Sequence, residues 1–340
     1  MSRTERMLAD IERGFSALEE GRLDDAAAIV ERCQRIDRKN ADVITLSAAV
    51  ADASGDAEVA LASYRMLSDI RPDDPMPRIC IARIELADLD DPDAALRTLA
   101  TAFEYIDEEA DLVEAIFVKT QALITKGQLA SARESLDELT SSVIEDPDLA
   151  LDVAELALAA EYPDAAKRWV ETARKNADDP MFEAEALHLL GRVHEMSGDR
   201  KAMIAAWQKV RELDRAADAG PLTVSVDEME RIAAAALEEL PANIREHLAH
   251  VPILIDDLPS PEIVAEGFDP RLVGYFQGTP LPHGSTGVPS VTNILLFKNN
   301  LERQSLDAAH LADEIRITVL HETAHYFGLD DDDLEKLGLD

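Results

Sequence analysis

Two histidines and a glutamate near the end of the chain have the types and the spacing of a metal-dependent hydrolytic site. His321, Glu322 and His325 form an H-E-x-x-H motif, and Gly328 follows it. Residues four apart lie on the same face of an α-helix, so each imidazole can direct one ring nitrogen to a single metal ion. Glu322 lies beside them, where it can hold a water molecule at that ion. The spacing therefore predicts a zinc site with His321 and His325 as ligands and Glu322 as the catalytic base.

A tetrahedral zinc site needs a third protein ligand besides two histidines and a water molecule. The sequence continues so that the motif can be written H-E-x-x-H-x-x-G-x-x-D. This string is similar to the metzincin pattern, in which a glycine turns the chain and the third ligand follows three residues later. Asp331 occupies that place and is the expected third ligand. The alternatives are its acidic neighbours and one acid on a short terminal helix: Asp330, Asp332, Asp333 and Glu335.

The segments around the motif resemble the bacterial mini-zincin family, small domains in which the zinc helix lies almost at the C-terminus. Only residues 332–340 follow Asp331, so we expect no methionine-containing turn of the kind that true metzincins place downstream. The resemblance covers about residues 226–340. It rests on a helix ending in Leu-Pro, three hydrophobic segments and the zinc-helix sequence: residues 240–241, 251–256, 272–278, 294–297 and 318–330. It implies a zinc-dependent metallopeptidase, a hydrolase with Zn²⁺ as its cofactor.

The chemistry expected of such a site is hydrolysis of a peptide bond. Bound zinc polarises a water molecule and lowers its pKa. Glu322 takes the proton of that water and later passes it to the leaving amine. We expect residues 294–297 to pair with an extended peptide by strand addition. The candidates for the donor that stabilises the oxyanion are Tyr275, His283 and Arg316.

The elements that must position this site form a small α+β domain, predicted over residues 220–340. A helix over about 226–240, with Asp227 as a plausible N-cap and Pro241 after its end, precedes strand-like segments. The predicted strands are 251–255, 272–276 and 293–297. A final helix over about 306–327 carries the motif, and Gly328 can end it. We expect an apolar stripe to bury the helix face away from the histidines: Leu320, Ala324 and Phe327.

The first two-thirds of the chain has apolar residues at helical spacing and turns at nearly regular intervals. The turns lie 34 to 37 residues apart, near Gly21, Gly55, Asp90, Gly127, Glu161 and Gly198. Five positions after each turn comes a residue that lets two helices approach: Ala26, Ala60, Ala95, Ala132, Ala166 and, in the last unit, Met203. The pattern resembles tetratricopeptide repeats, pairs of antiparallel helices in about 34 residues. Trp169 and Trp207 lie in second helices, which departs from that family's pattern.

The predicted fold class is therefore mainly α, with a tetratricopeptide-like α-solenoid over residues 1–219 before the zincin-like domain over 220–340. Repeats of this kind stack because a single helix pair cannot bury its apolar face alone. The resemblance implies that the groove of the solenoid recruits a peptide or protein, as substrate or as partner. The alternative is a non-enzymatic interaction protein in which a structural or degenerate metal site only stabilises the C-terminal domain.

Composition excludes several other classes of function. The 69 acidic residues against 33 basic ones give a formal net charge of −36, which repels phosphate backbones and argues against nucleic-acid binding. Only Cys33 and Cys80 are present, so a disulfide framework is not expected and a reducing compartment fits better. We find no apolar leader and no run of about eighteen uncharged apolar residues that would span a membrane. The sequence predicts a cytoplasmic protein without a membrane partner.

Overall fold

The computed structural model describes residues 3–139, 144, 146–175, 179–217, 220, 222–240, 246, 248, 251–278 and 293–326. Two compact units, Met1–Asn176 and Ala177–Asp340, divide the chain. The fold class is the one expected from the sequence, helical pairs followed by a small region with a three-stranded sheet. The sequence boundary expected at 219/220 falls inside the second unit and stays a prediction.

The first unit consists of helices that pack as consecutive antiparallel pairs. Their bounds are α1 Arg3–Glu19, α2 Leu23–Asp37, α3 Ala41–Ala53, α4 Ala57–Ile70, α5 Met76–Ala87, α6 Pro92–Ala102, α7 Glu109–Thr125, α8 Leu129–Leu136, α9 Pro147–Ala159 and α10 Pro163–Lys175. Asp146 caps α9 by accepting from the backbone amides of Asp148 and Leu149, so Pro147 begins this helix where its missing N–H is not needed.

The turn inside each pair, including the first helix pair of the second unit, has a left-handed residue at the position predicted from the spacing. The positive φ angles fall at Gly21, Gly55, Asp90, Gly127, Glu161 and Gly198. After each of the four glycines, the next amide donates to the carbonyl five residues earlier, as Arg22 does to Ala17 at 2.8 Å. This bond is the one that ends a helix in a Schellman motif. The predicted close-approach residues are all buried: Ala26, Ala60, Ala95, Ala132, Ala166 and Met203.

The second unit begins with one more helix pair, α11 Pro180–Met196 and α12 Arg200–Ala216. Gly191 of α11 faces the indole of Trp207 on α12, and a Cβ at Gly191 would lie 1.9 Å from the indole Nε1. The same Nε1 donates to the backbone carbonyl of His188 at 3.3 Å. Gly191 therefore lets a bulky aromatic side chain fill the space between the two helices.

The remainder of the second unit is a sheet with helices around it. Its elements are α13 Val226–Glu239, β1 Ile253–Asp256, α14 Pro261–Ala265, β2 Gly274–Gln277, β3 Asn293–Phe297, α15 Lys298–Gln304 and α16 Ala308–Tyr326. The strand order is β1-β3-β2. β1 runs parallel to β3, with Ile253 opposite Ile294, and β2 runs antiparallel to it, with Gly274 opposite Leu296. The central strand β3 has the predicted bounds, whereas β1 and β2 each begin two residues later than predicted.

One face of this sheet packs on α13 and α16. Alternate residues of β3, Ile294 and Leu296, are fully buried there with apolar side chains of both helices: Met229, Ala233, Ala236, Leu311, Ile315 and Val319. The opposite sheet face, with Leu295 and Phe297, packs on Ile263 of α14 and on Tyr275. The period-2 alternation of a strand thus places β3 at the centre of the core.

One local prediction for this unit is corrected. The N-cap of α13 is Ser225, whose side chain accepts from the amide of Glu228, and not Asp227. Both residue types make good caps, so composition alone could not fix the first helical residue.

Among the helices that the structure describes, none combines the length and apolar character needed to cross a membrane.

Candidate metal and catalytic site

The two motif histidines converge on the same point from one face of α16. Nε2 of His321 and Nε2 of His325 lie 3.0 Å apart, with the ring planes at 77° to each other. Both side chains are half-buried. Two Zn–N bonds of about 2.0–2.1 Å span this separation at an N–Zn–N angle of about 94°, and a separation of about 3.3 Å gives the tetrahedral angle. The pair therefore fits zinc after an adjustment of a few tenths of an ångström.

The helix that carries these histidines is held by a different stripe from the one predicted. Leu311, Ile315 and Val319 are fully buried against the sheet. Leu320 is only half-buried, and Ala324 is buried. Phe327, the third residue of the predicted stripe, lies outside the described residues. The sequence pattern is misleading here because polar residues also occupy the buried face of α16.

Glu322 is one of those polar residues. Its residue exposure is 7 %, and it faces the first residue of β2. A Cβ at Gly274 would lie 3.0 Å from both Cγ and Oε1 of Glu322, and 2.4 Å from Cγ2 of Thr318. The backbone of β2 can pass this close to the helix only because residue 274 has no side chain. Thr318 in turn donates its hydroxyl to the carbonyl of Glu314 at 2.8 Å.

A further histidine and carboxylate lie on the same side of α16, towards its N-terminus. His310 and Glu314 form a pair with 3.3 Å between Nε2 and Oε1. Glu314 precedes His321 by seven residues, or about 10 Å along the helix axis, so it is too far away to share a metal with the motif. Within the described residues, no three His, Cys, Asp or Glu side chains are grouped to hold a metal ion.

The third ligand expected at Asp331 lies outside the described residues, as do the alternatives Asp330, Asp332, Asp333 and Glu335. Asp331 therefore stays a prediction. The structure brings His321 and His325 together, and Glu322 follows His321 directly on the same helix.

The three oxyanion-donor candidates have different outcomes. Tyr275 belongs to the sheet face opposite α16, where its ring meets Phe268 with 4.7 Å between centroids. Burial, followed by the charges of Glu266 and Glu322, raises the pKa of the Tyr275 phenol. Arg316 precedes His321 by five residues, which places it about 140° around the helix. Neither side chain is on the histidine side of α16, and His283 lies outside the described residues.

The expectation that residues 294–297 pair with a peptide is wrong. These residues belong to β3, which is the central strand and is paired with β1 on one side and β2 on the other. Among the described strands, β2 lies at an edge of the sheet and packs against α16. Sequence reasoning missed this role of β2 and of Gly274, although a glycine between Val273 and Tyr275 in a strand is a recognised sign of close backbone approach.

Comparison with known proteins separates the two regions of the chain. Residues 248–339 match the family described as Zincin-like metallopeptidase. No curated protein matches the chain. The helical region is similar to the crystal structure of PilW, a widely conserved type IV pilus biogenesis factor, at 14 % identity and a TM-score of 0.53, over 64 % of this chain and 97 % of PilW.

A second solved structure has the same likeness. PilF of Pseudomonas aeruginosa is similar at 17 % identity and a TM-score of 0.50, over 63 % of this chain and 95 % of PilF. At such identities the likeness establishes the helical-repeat fold alone. The chain thus carries a zincin-like metallopeptidase domain at residues 248–339, after a helical region with the fold of tetratricopeptide-like repeat proteins.

Proposed function

We propose that the protein is a zinc-dependent peptidase whose repeat region recruits a peptide or protein. The observation that carries this proposal is the pair of Nε2 atoms 3.0 Å apart, with the buried Glu322 beside them, inside the zincin-like domain. His321, His325 and Asp331 would hold the zinc ion. When bound, zinc supplies a Lewis acid that activates water and polarises the scissile carbonyl.

Glu322 is the general base of this proposal. Its side chain packs beside Gly274, where an added Cβ would lie 3.0 Å from Cγ and Oε1, and this packing restricts its movement. In this position it accepts a proton from the attacking water and later delivers that proton to the leaving amine. Because Glu322 is buried, few bulk water molecules compete for hydrogen bonds to its carboxylate.

Among the described strands, β2 lies at an edge of the sheet beside α16, and we propose that the peptide binds there. An extended peptide would pair with Gly274–Gln277 on the side away from β3 and would pass close to Glu322. Main-chain hydrogen bonds of this kind give affinity without a strong demand on side chains. The helical pairs before the domain would then contribute the choice of protein, through contacts in the groove of the solenoid.

Metal analysis and peptide cleavage test the proposal together. We expect purified protein prepared without chelators to carry about one zinc per chain and His321→Ala to lose it. The matched control is His310→Ala, because His310 lies on the same side of the same helix and is paired with Glu314. It should retain the zinc. Absence of zinc from the wild-type protein, or equal loss in both variants, contradicts the site.

The Glu322→Gln variant tests the base. It should keep the zinc and lose cleavage by a factor of about 10²–10⁴, measured with a library of internally quenched fluorescent peptides. Unchanged cleavage would remove Glu322 from its assigned role. A metal shell completed by a fourth protein ligand, detected by X-ray absorption, would instead support the non-enzymatic alternative.

A further inference from the structure

We infer that Arg271 is a positioning residue for Glu322, through which the helix pair α11–α12 holds the catalytic base in place. This inference rests on the proposed function for the role of Glu322. It concerns the segment 269–274, which we call the strap. At one end the strap contacts α11 and α12, and at the other end its Gly274 packs against Glu322. All of these residues belong to the second compact unit.

Arg271 anchors the strap to the helix pair α11–α12. Its guanidinium donates twice to the carboxylate of Asp214 on α12, Nε at 3.0 Å and Nη2 at 3.2 Å, and donates through Nη1 to Glu185 on α11 at 2.6 Å. The Asp214 side chain is fully buried, and it also accepts from Arg303 of α15 at 2.8 Å. The hydrogen bonds of Asp214 and Glu185 raise the pKa of Arg271 in spite of its burial.

The neighbours of Arg271 in the strap are held as well. Both carboxylate oxygens of Asp269 lie within hydrogen-bond distance of Nε2 of His188 on α11, Oδ2 at 2.8 Å and Oδ1 at 2.9 Å. The carbonyls of Pro270 and Leu272 both accept from the side-chain amide of Asn300, on α15, at 3.0 and 2.8 Å. Asn300 is almost completely buried. Bidentate and doubly bonded contacts of this kind leave the segment few alternative conformations.

The other end of the strap reaches the site. The carbonyl of Val273 accepts from the amide of Phe297 at 2.9 Å, which aligns the chain as β2 begins. Gly274 follows directly and packs against Glu322 and Thr318. Gly274 follows Arg271 by three positions, a distance of at most about 10 Å for an extended chain. A shift of α11–α12 would therefore displace Gly274, and with it the side chain of Glu322, through a short segment that is held by hydrogen bonds.

The test compares two arginine substitutions in the full chain. Arg271→Gln breaks the strap contact, and Arg211→Gln is the matched control. Arg211, also on α12, donates to the carbonyl of Pro259, which joins the helix pair to the same domain but not to the strap. Hydrogen–deuterium exchange is measured on protein treated with a chelator, so that the readout does not depend on bound metal.

We expect Arg271→Gln to raise amide exchange at least about tenfold in β2 and in the last two turns of α16, and Arg211→Gln to leave both segments within about twofold of wild type. With zinc restored and a peptide that the wild type cleaves, kcat should fall about tenfold, with KM within about twofold and zinc content unchanged. A residue that only supports the fold would lower zinc content or raise KM as well.

Equal exchange in the two variants overturns the inference, as does a rise confined to α11 and α12. If Arg271→Gln does not fold, Glu185→Gln replaces it, because Glu185 is half-exposed and supplies only one of the contacts of Arg271. It should give the same pattern at smaller amplitude, and an unchanged pattern overturns the inference too. Failure of the proposed function would appear separately, as a wild-type protein that neither binds zinc nor cleaves any peptide of the library.

Discussion

Replacing Gly274 by alanine tests the contact between β2 and the zinc helix directly. The added Cβ would lie 2.4 Å from Cγ2 of Thr318 and 3.0 Å from Cγ and Oε1 of Glu322. Thr318 is buried and bonded to the carbonyl of Glu314, so its methyl group has little room to move. Either β2 must withdraw from α16 or the side chain of Glu322 must leave its position.

The expected destabilisation follows from two opposing contributions. Overpacking a buried contact by one methyl group costs about 1–3 kcal/mol. Alanine also restricts the unfolded chain more than glycine does, which offsets about 0.4–1 kcal/mol. The net loss is therefore between about 0 and 2.6 kcal/mol. At about 2–4 °C per kcal/mol for a unit of about 150–250 residues, the transition of residues 177–340 should fall by up to about 10 °C.

Differential scanning calorimetry measures this shift, and peptide cleavage reports the displacement of Glu322. Gly220→Ala is the control, because no atom of the described residues lies within 4 Å of a Cβ at that position. We expect the Gly274→Ala variant to lose cleavage more than tenfold at temperatures where it is still folded, since a small misplacement of a catalytic group costs about 10²-fold. A Gly274→Ala protein that melts and cleaves like Gly220→Ala would refute the close contact.

Two further substitutions test other contacts of the second unit. Gly191→Ala places a Cβ 1.9 Å from Nε1 of Trp207 and should destabilise the α11–α12 pair by about 3 kcal/mol or more; a urea midpoint equal to that of wild type would contradict the packing. Although burial opposes ionisation of Asp269, the hydrogen bond and charge of His188 lower its pKa below the ordinary value of about 3.9. The contribution of the ionised Asp269 to the free energy of unfolding is therefore present above about pH 4 and is lost as the pH falls through the lowered pKa. We expect Asp269→Asn to remove about 0.5–1 kcal/mol at pH 6 and progressively less as the pH falls through the lowered pKa, and an equal loss at every pH, measured by urea unfolding, would exclude this pair as the cause.

The repeat architecture could be predicted in detail because each of its signals is local. A left-handed residue must end the first helix of a pair, and glycine supplies that conformation most easily. Asp90 and Glu161 adopt φ angles of 49° and 52° without being glycines, and the regular spacing alone located them. The buried alanines after each turn follow from the close approach of two helices. The motif histidines were equally predictable, since residues four apart share a helix face.

The remaining features depend on contacts between residues distant in sequence. Asp214 and Arg271 are ordinary charged residues in the sequence, and only the folded chain brings them together. The buried face of α16 includes Thr318 and Glu322, which hydrophobic patterning assigns to solvent. The strand order also could not be read from three short segments, so the central position of β3 was not foreseen. Asp331 lies outside the described residues and stays a prediction from spacing.

The buried carboxylate of Asp214 has a consequence for how this domain can be separated from its repeats. The zincin-like match begins at residue 248, yet a fragment cut there would leave Arg271 and Arg303 without their shared carboxylate. It would also remove the indole of Trp207, which packs on Val264. A fragment that begins near residue 177 keeps both. In relatives with more or fewer repeats, we therefore expect the gain or loss of helix pairs to stop before α11, and this last pair to be inherited with the sheet.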